Sequence, residues 1–354
     1  MPRLSPRLLL HARKLDPLLC LLIRPCRDIA SARNELRWLK EHAIATVRSD
    51  GIERTAVGWR TLLSRYCEER ARGKPLQYIL GNQPFGEVEI LCRPGVLIPR
   101  HETEACVMHL ANNVLEKENA DREIKILDLC TGTGCIPLLM HSMLSKKFLQ
   151  LKIFGVDISA KAIRLSNDNL EWNIRQGYLD PVAREQIRFI EADVFAESFY
   201  ERLKAEAESA TNSWDFIISN PPYISPKGFD RDTSASVRNY EPRLALVPER
   251  SIRRSTEQGN EDDLVGDLFY PRLYEIADKV HARGVLFEVG DLDQASRAAR
   301  VACESPAWTR VEIWKDFPDL DLDIIDQSTP MLNVAGTQIV LRGQGNGRAV
   351  YCRR

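Results

Sequence analysis

An apolar run in this chain stops on residues whose types suit chemistry, in the stretch "WDFIISNPPYIS" at residues 214–225. The run itself predicts a buried strand. Two prolines follow, and proline cannot donate a hydrogen bond to a sheet and keeps the preceding residue out of the helical region. Residues 220–223, which we call the elbow, are therefore expected to be stiff and extended, with the side chain of Asn220 free to bind a ligand. Alone, the pattern is equally typical of an ordinary turn after a strand.

Aspartates stand at the ends of three further apolar runs, and a glycine-containing loop follows the first of them. Asp128 precedes the loop "CTGTG" at residues 130–134, Asp157 ends the second run and Asp193 ends the third. Ligands of open α/β sheets bind at the carboxyl ends of parallel strands. Gly132 and Gly134 allow a tight turn and a close approach to a ligand. Their spacing is not the GxGxxG pattern of dinucleotide-binding proteins.

Three strands that each end in aspartate, one of them followed by a glycine loop, predict a site for S-adenosylmethionine. The loop is expected to meet the methionine part, Asp157 to accept from the ribose hydroxyls, and Asp193 with the Val194 backbone to bind the adenine. Taken singly, an aspartate after a strand is more often the N-cap of a helix. The predicted cofactor-binding residues are Cys130, Thr131, Gly132, Thr133, Gly134, Asp157, Asp193, Val194 and Asn220.

The alternation of strands and helices predicts the fold that would hold these residues. Short apolar runs at 124–129, 151–158, 187–193, 214–219 and 284–290 are separated mostly by helical patterns. Such alternation favours a parallel sheet covered on both faces. We therefore expect an α/β fold with a Rossmann-like, class I S-adenosylmethionine-dependent methyltransferase sheet over residues 105–354.

Two other regions are expected before this sheet. Apolar residues recur in steps of three and four from Ile29 to Val47, and a second helix fits 58–72, which predicts a helical domain over residues 26–75. Glycine and proline punctuate residues 76–104, where a β-hairpin linker is expected. The polar residues 247–263 read as a mobile insertion within the sheet domain.

Composition excludes several classes of protein. The 354 residues are 44% hydrophobic and 28% charged, which is typical of globular proteins, and the net charge of −1 provides no global basic field for nucleic acid. The nine cysteines form no CxxC pair, so a zinc site or dithiol motif is not supported and no metal is expected. The apolar runs are too short to span a bilayer. We expect neither membrane association nor stable nucleic-acid binding.

The first 25 residues are basic, rich in leucine and poor in acids. Arg3, Arg7, Arg13 and Lys14 precede the first acid, Asp16. This composition indicates a mitochondrial transit segment, and hence a location in the mitochondrial matrix. The alternative is a basic first helix of the folded domain in a cytoplasmic protein.

Six motifs occur in one order along the chain: "PLQYILG", "VLIPRHETE", "DLCTGTGC", "SNPPYI", "VRNYEPRLAL" and "FEVG". In these the chain resembles the HemK/PrmC family, whose members methylate the glutamine of the GGQ motif in class I peptide chain release factors. The resemblance covers most of the chain from about residue 75, and the N-terminal helices look like that family's substrate-recognising domain. The chain departs from the family pattern at His101, usually a proline, at Cys130, commonly a glycine, and in the longer 247–263 stretch.

The resemblance implies a role for the elbow. An amide nitrogen is a poor nucleophile, and it gains positive charge as it attacks a sulfonium methyl group. Two acceptors, the Asn220 side-chain oxygen and the Pro221 carbonyl, would orient it and stabilise that charge, which makes Asn220 and Pro221 the predicted catalytic residues. Pro222 would hold the Pro221 carbonyl outward and Tyr223 would offer a flat face, so that all four elbow residues bind substrate. His101 is expected to be a surface residue.

Two other functions remain open on the residues alone. The NPPY tetrapeptide is shared with adenine-N6 methyltransferases acting on DNA or RNA, which would need a basic groove and stacking aromatic residues. A non-catalytic binding module with the same fold would tolerate loss of Asn220 or the glycine loop, and both are present. The expected partner is a class I release factor.

Overall fold

The computed structural model describes residues 4–49, 58–207, 213–249, 261–320 and 330–354. Within these ranges the helices are α1 (Pro6–Leu15), α2 (Leu19–Cys26), α3 (Ile29–Ser49), α4 (Trp59–Ala71), α5 (Leu76–Leu80), α6 (His101–Lys117), α7 (Cys135–Leu144), α8 (Ala160–Gln176), α9 (Ala183–Gln186), α10 (Phe199–Ala207), α11 (Pro226–Arg231), α12 (Ala235–Tyr240), α13 (Glu261–Gly266), α14 (Phe269–Lys279) and α15 (Leu292–Cys303). None of these combines the length and apolar character needed to cross a bilayer.

The strands form two sheets. They are β1 (Asn82–Phe85), β2 (Val88–Leu91), β3 (Ile124–Leu129), β4 (Leu151–Asp157), β5 (Ile187–Glu191), β6 (Phe216–Ser219), β7 (Gly284–Glu288), β8 (Arg310–Phe317), β9 (Met331–Val334), β10 (Thr337–Arg342) and β11 (Gln344–Arg353). Strands β1 and β2 pair with each other, and the other nine share one sheet. The chain folds as two units, one of Met1–Gln83, Cys92–Pro94 and Ser234–Glu241, the other of Pro84–Leu91, Gly95–Thr233 and Pro242–Arg354.

The first unit is built on the helices that the apolar spacing predicted. In α3 the side chains of Ala32, Leu39 and Ala43 are fully buried, and Leu62 and Leu63 of α4 are buried in the same core. The expected one-sided helices are therefore present, since steps of three and four keep these residues on one face.

Residues 6–26 belong to the same core. Helices α1 and α2 bury Ala12, Leu19, Leu22 and Ile23 among the residues of α3 and α4. The leucines of this segment thus pack in the core of a folded domain. This agrees with the alternative stated above, in which the basic N-terminus is a first helix of that domain. A transit role for this segment stays a prediction.

The second unit carries the large sheet, in the order β5-β4-β3-β6-β7-β11-β8-β10-β9. The five strands β3 to β7 pair with one another in parallel, as predicted. Strand β11 lies between β7 and β8 and is antiparallel to both. The chain starts at β3, proceeds outward through β4 and β5, then returns to the other side of β3 with β6. This reversal is the topological switch at which ligands of open α/β sheets bind.

The parallel strands are covered on both faces. Ile124 and Ile126 of β3 pack with α6 and α7, whereas Leu127 and Leu129 pack in a second core with α14 and α15. Because successive strand residues point to opposite faces, a strand covered on both sides must be apolar at nearly every position. The predicted α/β fold with a Rossmann-like parallel sheet is confirmed in the second unit.

The structure differs from the expected elements in three places. The hairpin of residues 76–104 occupies only 82–91, because Leu76–Leu80 forms a helical turn ended by Gly81 and α6 begins at His101. In the 247–263 stretch Val247 is buried and Glu261 opens α13, while residues 250–260 lie outside the described residues. Strands β8 to β11 were not predicted; in β8 the apolar pattern is interrupted by charged residues such as Glu312.

An ion-pair network ties together the amino ends of the central strands. Glu118, at the end of α6, accepts hydrogen bonds from Arg122 at 2.7 Å, Arg283 at 3.2 Å and Arg353 at 3.0 Å. Arg122 and Arg283 also donate to Asp215, just before β6. The Glu118 side chain is only 6% exposed, so the hydrogen bonds from these arginines must offset the cost of removing it from water.

We expect Glu118→Ala to destabilise the protein by about 3 kcal/mol, because it leaves three arginines facing each other without their shared carboxylate. The free energy of unfolding in urea is the measurement. The matched control is Glu171→Ala, which removes an ion pair with Arg184 whose side chains are 45% and 46% exposed. It should cost less than about 1 kcal/mol. Equal losses in the two variants would show that the network is no more than a surface feature.

Candidate active site

A cavity of about 310 Å³ opens at the carboxyl ends of β3, β4 and β6. Its lining brings together residues that are distant in sequence but adjacent at this edge of the sheet. The predicted site residues that line it are Cys130, Thr131, Gly132, Thr133, Asp157, Asp193, Val194, Asn220 and Pro222. Gly134, Pro221 and Tyr223 are not part of this lining.

The loop at residues 130–134 adopts a backbone that favours glycine. Gly132 and Gly134 have φ angles of 56° and 78°. A Cβ on Gly134 would lie 2.8 Å from Phe189 and from Ser166, so this glycine permits close packing rather than ligand contact. Cys130 has a φ of 66°, which explains why glycine is common at its position in the family that the motifs resemble.

Asp157 connects this loop to β4. Its Oδ2 accepts from the Gly132 N–H and its Oδ1 from the Ser159 N–H, both at 2.9 Å. Burial raises the pKa of the carboxyl group. Since each carboxylate oxygen can accept a second hydrogen bond, Asp157 can hold the loop and still receive two hydroxyl groups from a ligand.

The far end of the cavity combines polar and aromatic groups. The Asp193 carboxylate accepts from the Phe195 N–H at 2.9 Å, and Arg272 donates to the Val194 carbonyl at 2.7 Å. The rings of Phe195 and Phe269 meet edge to face at 4.9 Å, and both line the cavity. An acid beside an apolar wall suits a flat heterocycle with an amino group. Asp128, in contrast, is fully buried and does not line the cavity.

The elbow presents two open acceptors. The Asn220 Nδ2 group donates to Thr103 Oγ1 at 3.2 Å, so the amide nitrogen is engaged. Neither the Asn220 Oδ1 atom nor the Pro221 carbonyl accepts a hydrogen bond from the described part of the chain. Asn220 lies on the cavity wall. Pro221 is buried and does not line the cavity, so its predicted contact with a substrate amide stays a prediction.

Tyr223 is placed differently from its neighbours in the elbow. Its hydroxyl group donates to Glu288 Oε1 at 3.3 Å, and its ring packs against the core on one face of the sheet. The Gln294 side chain donates to its carbonyl at 3.1 Å. The predicted contact of Tyr223 with a substrate amide stays a prediction, and these bonds assign it a structural task. His101 is a surface residue, with its side chain 71% exposed.

Thr103 and Glu288 were not predicted as site residues, although "VLIPRHETE" and "FEVG" contain them. Thr103 Oγ1 donates to Glu288 Oε2 at 2.6 Å, and both residues are buried. Burial raises the pKa of Glu288 to about 7. The sequence did contain a signal for Glu288, which is an acid inside an otherwise apolar strand. A buried carboxylate requires hydrogen-bond partners, so such a residue indicates a polar cluster.

Comparison with known proteins bears on this site. Residues 89–237 match the model of the methyltransferase small domain family. A Schizosaccharomyces pombe protein named probable MRF1 mitochondrial N(5)-glutamine methyltransferase mtq1 is 35% identical, over 79% of this chain and 83% of its own length.

Two further relatives agree with the first. The Saccharomyces cerevisiae mitochondrial MRF1 N(5)-glutamine methyltransferase MTQ1 is 35% identical over 70% of this chain and 69% of that protein. A release factor glutamine methyltransferase of Thermodesulfovibrio yellowstonii is 31% identical over 75% and 80%. The elbow, the glycine loop and these relatives confirm the predicted membership: the chain belongs to the HemK/PrmC family of release factor glutamine methyltransferases.

Proposed function

We propose that this chain transfers a methyl group from S-adenosylmethionine to the side-chain amide nitrogen, N5, of the glutamine in the GGQ motif of a class I peptide chain release factor. The observation that carries the proposal is Asn220 on the wall of a cavity that also holds Asp157 and Asp193, with its Oδ1 atom accepting no hydrogen bond from the described residues. The three relatives are named as glutamine methyltransferases, and two names include MRF1 as the protein acted on.

The cavity fits the cofactor that the family uses. Asp157 has acceptor capacity left for ribose hydroxyls, and Asp193 stands beside the aromatic wall of Phe195 and Phe269, as an adenine would require. The loop at residues 130–134 supplies a backbone that a ligand can approach closely. When bound, S-adenosylmethionine supplies an electrophilic methyl group on a positively charged sulfur.

The elbow supplies what the amide needs. The two N–H groups of a glutamine side chain match two acceptors, so Asn220 Oδ1 and the Pro221 carbonyl would fix the direction of the nitrogen lone pair. As the nitrogen becomes positively charged, its N–H groups become stronger donors, and both hydrogen bonds strengthen in the transition state. No strong base is required to remove a proton from the amide before the methyl group is transferred.

We further propose that the protein acts in the mitochondrial matrix, on the release factor of that compartment. Two relatives are named as mitochondrial enzymes, and the first 25 residues are basic and poor in acids. Helix α1 contributes Ala12, and α2 contributes Leu19, Leu22 and Ile23, to the core of the first unit. A targeting signal located here would therefore share its residues with the folded domain.

The proposed chemistry predicts that Asn220→Ala lowers the single-turnover rate of release factor methylation by a factor of about 10²–10³, the usual effect of removing one preorganised polar group. Binding of S-adenosylmethionine, measured by calorimetry, should change far less. Asn220→Asp retains an acceptor but places a negative charge beside a cationic cofactor, so binding is expected to persist while transfer is impaired. Parental rates in Asn220→Ala would reduce the elbow to a turn.

For the cofactor we expect Asp157→Ala to weaken S-adenosylmethionine binding by about 1–3 kcal/mol, because hydrogen bonds to a charged group are lost. Calorimetry on the folded variant provides the measurement. Asp121→Ala, which removes an exposed acid from the turn before β3, is the control and should leave affinity unchanged. An unchanged affinity in Asp157→Ala would rule out the ribose assignment.

The location is tested by fusing residues 1–25 to a fluorescent protein, which should then accumulate in mitochondria. The matched control replaces Arg3, Arg7, Arg13 and Lys14 by glutamine, which removes the basic residues before Asp16 and keeps Arg24 and the leucines; it should stay in the cytosol. Diffuse fluorescence from the unaltered fusion would leave α1 and α2 as ordinary helices of the first unit.

A further inference from the structure

Four buried or half-buried side chains form a continuous chain of hydrogen bonds behind the elbow. Asn220 donates to Thr103, Thr103 donates to Glu288, and Tyr223 donates to the other oxygen of the same carboxylate. These residues come from three distant segments: the first turn of α6, the elbow and the end of β7. Of these four side chains, only those of Asn220 and Thr103 reach the cavity.

We propose that Thr103 and Glu288 are positioning residues that fix the orientation of the Asn220 amide, so that its oxygen, and not its nitrogen, faces the substrate. The proposal rests on the function proposed above and adds two residues to it. Neither residue touches the reacting atoms. Their task is to make Asn220 an acceptor.

The orientation follows from the number of protons available. An ionised carboxylate only accepts hydrogen bonds, and a threonine hydroxyl has a single proton to donate. Because that proton points to Glu288, only lone pairs of Thr103 Oγ1 face Asn220. The amide therefore presents Nδ2 to Thr103, since a flipped amide would bring two acceptor oxygens about 3.2 Å apart. The consequence is that Oδ1 points away from Thr103.

The charge state of Glu288 controls the direction of these hydrogen bonds. The titratable or charged groups around it are Glu102, Cys106, Tyr223, Tyr270 and Arg348. Burial raises the pKa of the carboxyl group and Glu102 raises it further, whereas the hydrogen bonds from Thr103 and Tyr223 and the charge of Arg348 lower it. Arg348 is itself bonded to Asp316 at 2.8 Å, so its charge is shared.

Protonation of Glu288 would reverse the direction of the hydrogen bonds from Asn220 through Thr103 to Glu288. A neutral carboxylic acid donates one of its bonds, and it then no longer requires the proton of Thr103. The hydroxyl group can turn its proton toward Asn220, and the amide can flip to accept it. Nδ2 would then face the N–H groups of the substrate, donor against donor. Methyl transfer should therefore decline as pH falls through about 7, the pKa of Glu288.

The decisive comparison is Thr103→Val against Thr103→Ser. Valine retains the shape and removes the hydroxyl group, so the single-turnover rate should fall by about 10–100-fold with S-adenosylmethionine affinity within about threefold of the parent. Serine retains the hydroxyl group and should restore most of the rate. The control for loss of a buried hydroxyl is Ser142→Ala, whose Oγ donates to Leu139 within α7; its rate should equal that of the parent.

The second measurement is the pH profile of Glu288→Gln. Between about pH 6 and pH 8 the parental rate should fall with decreasing pH, and the decline should be absent from this variant, which has no titrating carboxyl group. If Thr103→Val fails to fold, this profile decides the matter. A parental profile that is flat, or a Glu288→Gln profile that retains the decline, would overturn the proposal.

A third readout does not depend on methyl transfer. In protein labelled with 15N-asparagine, the side-chain amide signals of Asn220, assigned by their absence in Asn220→Ala, should shift with pH through about 7. The shift should disappear in Thr103→Val. If the enzyme fails to methylate a release factor yet these signals titrate, the proposed function is wrong and the positioning chain stands. If methylation proceeds and Thr103→Val is fully active, the positioning chain is wrong and the function stands.

Discussion

The pairing of β3 with β6 is the constraint on which the site depends. Leu129 and Ser219 lie side by side at the ends of these strands, and the Ser219 hydroxyl donates to the Leu129 carbonyl at 2.7 Å. The glycine loop leaves one strand at this point and the elbow leaves the other. One register therefore sets the distance between the groups that would hold the cofactor and those that would receive the substrate, although 90 residues separate them in sequence.

The elbow in turn depends on a buried carboxylate. Removing a carboxylate from water is costly unless hydrogen bonds and charges compensate for the loss. Glu288 is 6% exposed and receives bonds from Thr103 and Tyr223, with Arg348 nearby. An apolar residue here would be easier to bury, but it would leave Thr103 with no reason to point its proton away from Asn220. The carboxylate thus exchanges some stability for a defined amide orientation.

The sequence was informative where a residue's chemistry could be read from its position at a strand end. Asn220, Asp157 and Asp193 follow or close apolar runs, and a parallel sheet must bring such ends to one edge. Thr103 could not be placed in the same way, because its partner lies 185 residues away and only the packing of α6 on the sheet joins them. For Tyr223 the motif predicted a substrate contact of the ring, which stays a prediction, but not the hydrogen bond from its hydroxyl group to Glu288.

Strand β11 extends the sheet beyond its parallel strands and brings a cation close to Glu288. β11 runs antiparallel beside β7 and places Ala349 opposite Glu288, so Arg348 arrives next to the buried carboxylate. The Arg348 carbonyl accepts from the Val289 N–H at 2.8 Å, which continues the pairing past the end of β7. The chain reaches β11 from β10 through Gly343, and β8 lies between these two strands in the sheet, so β11 fills the place between β8 and β7. Arg348 therefore joins Thr103 and Tyr223 around the Glu288 carboxylate, so that groups from α6, the elbow, β7 and β11 meet behind Asn220.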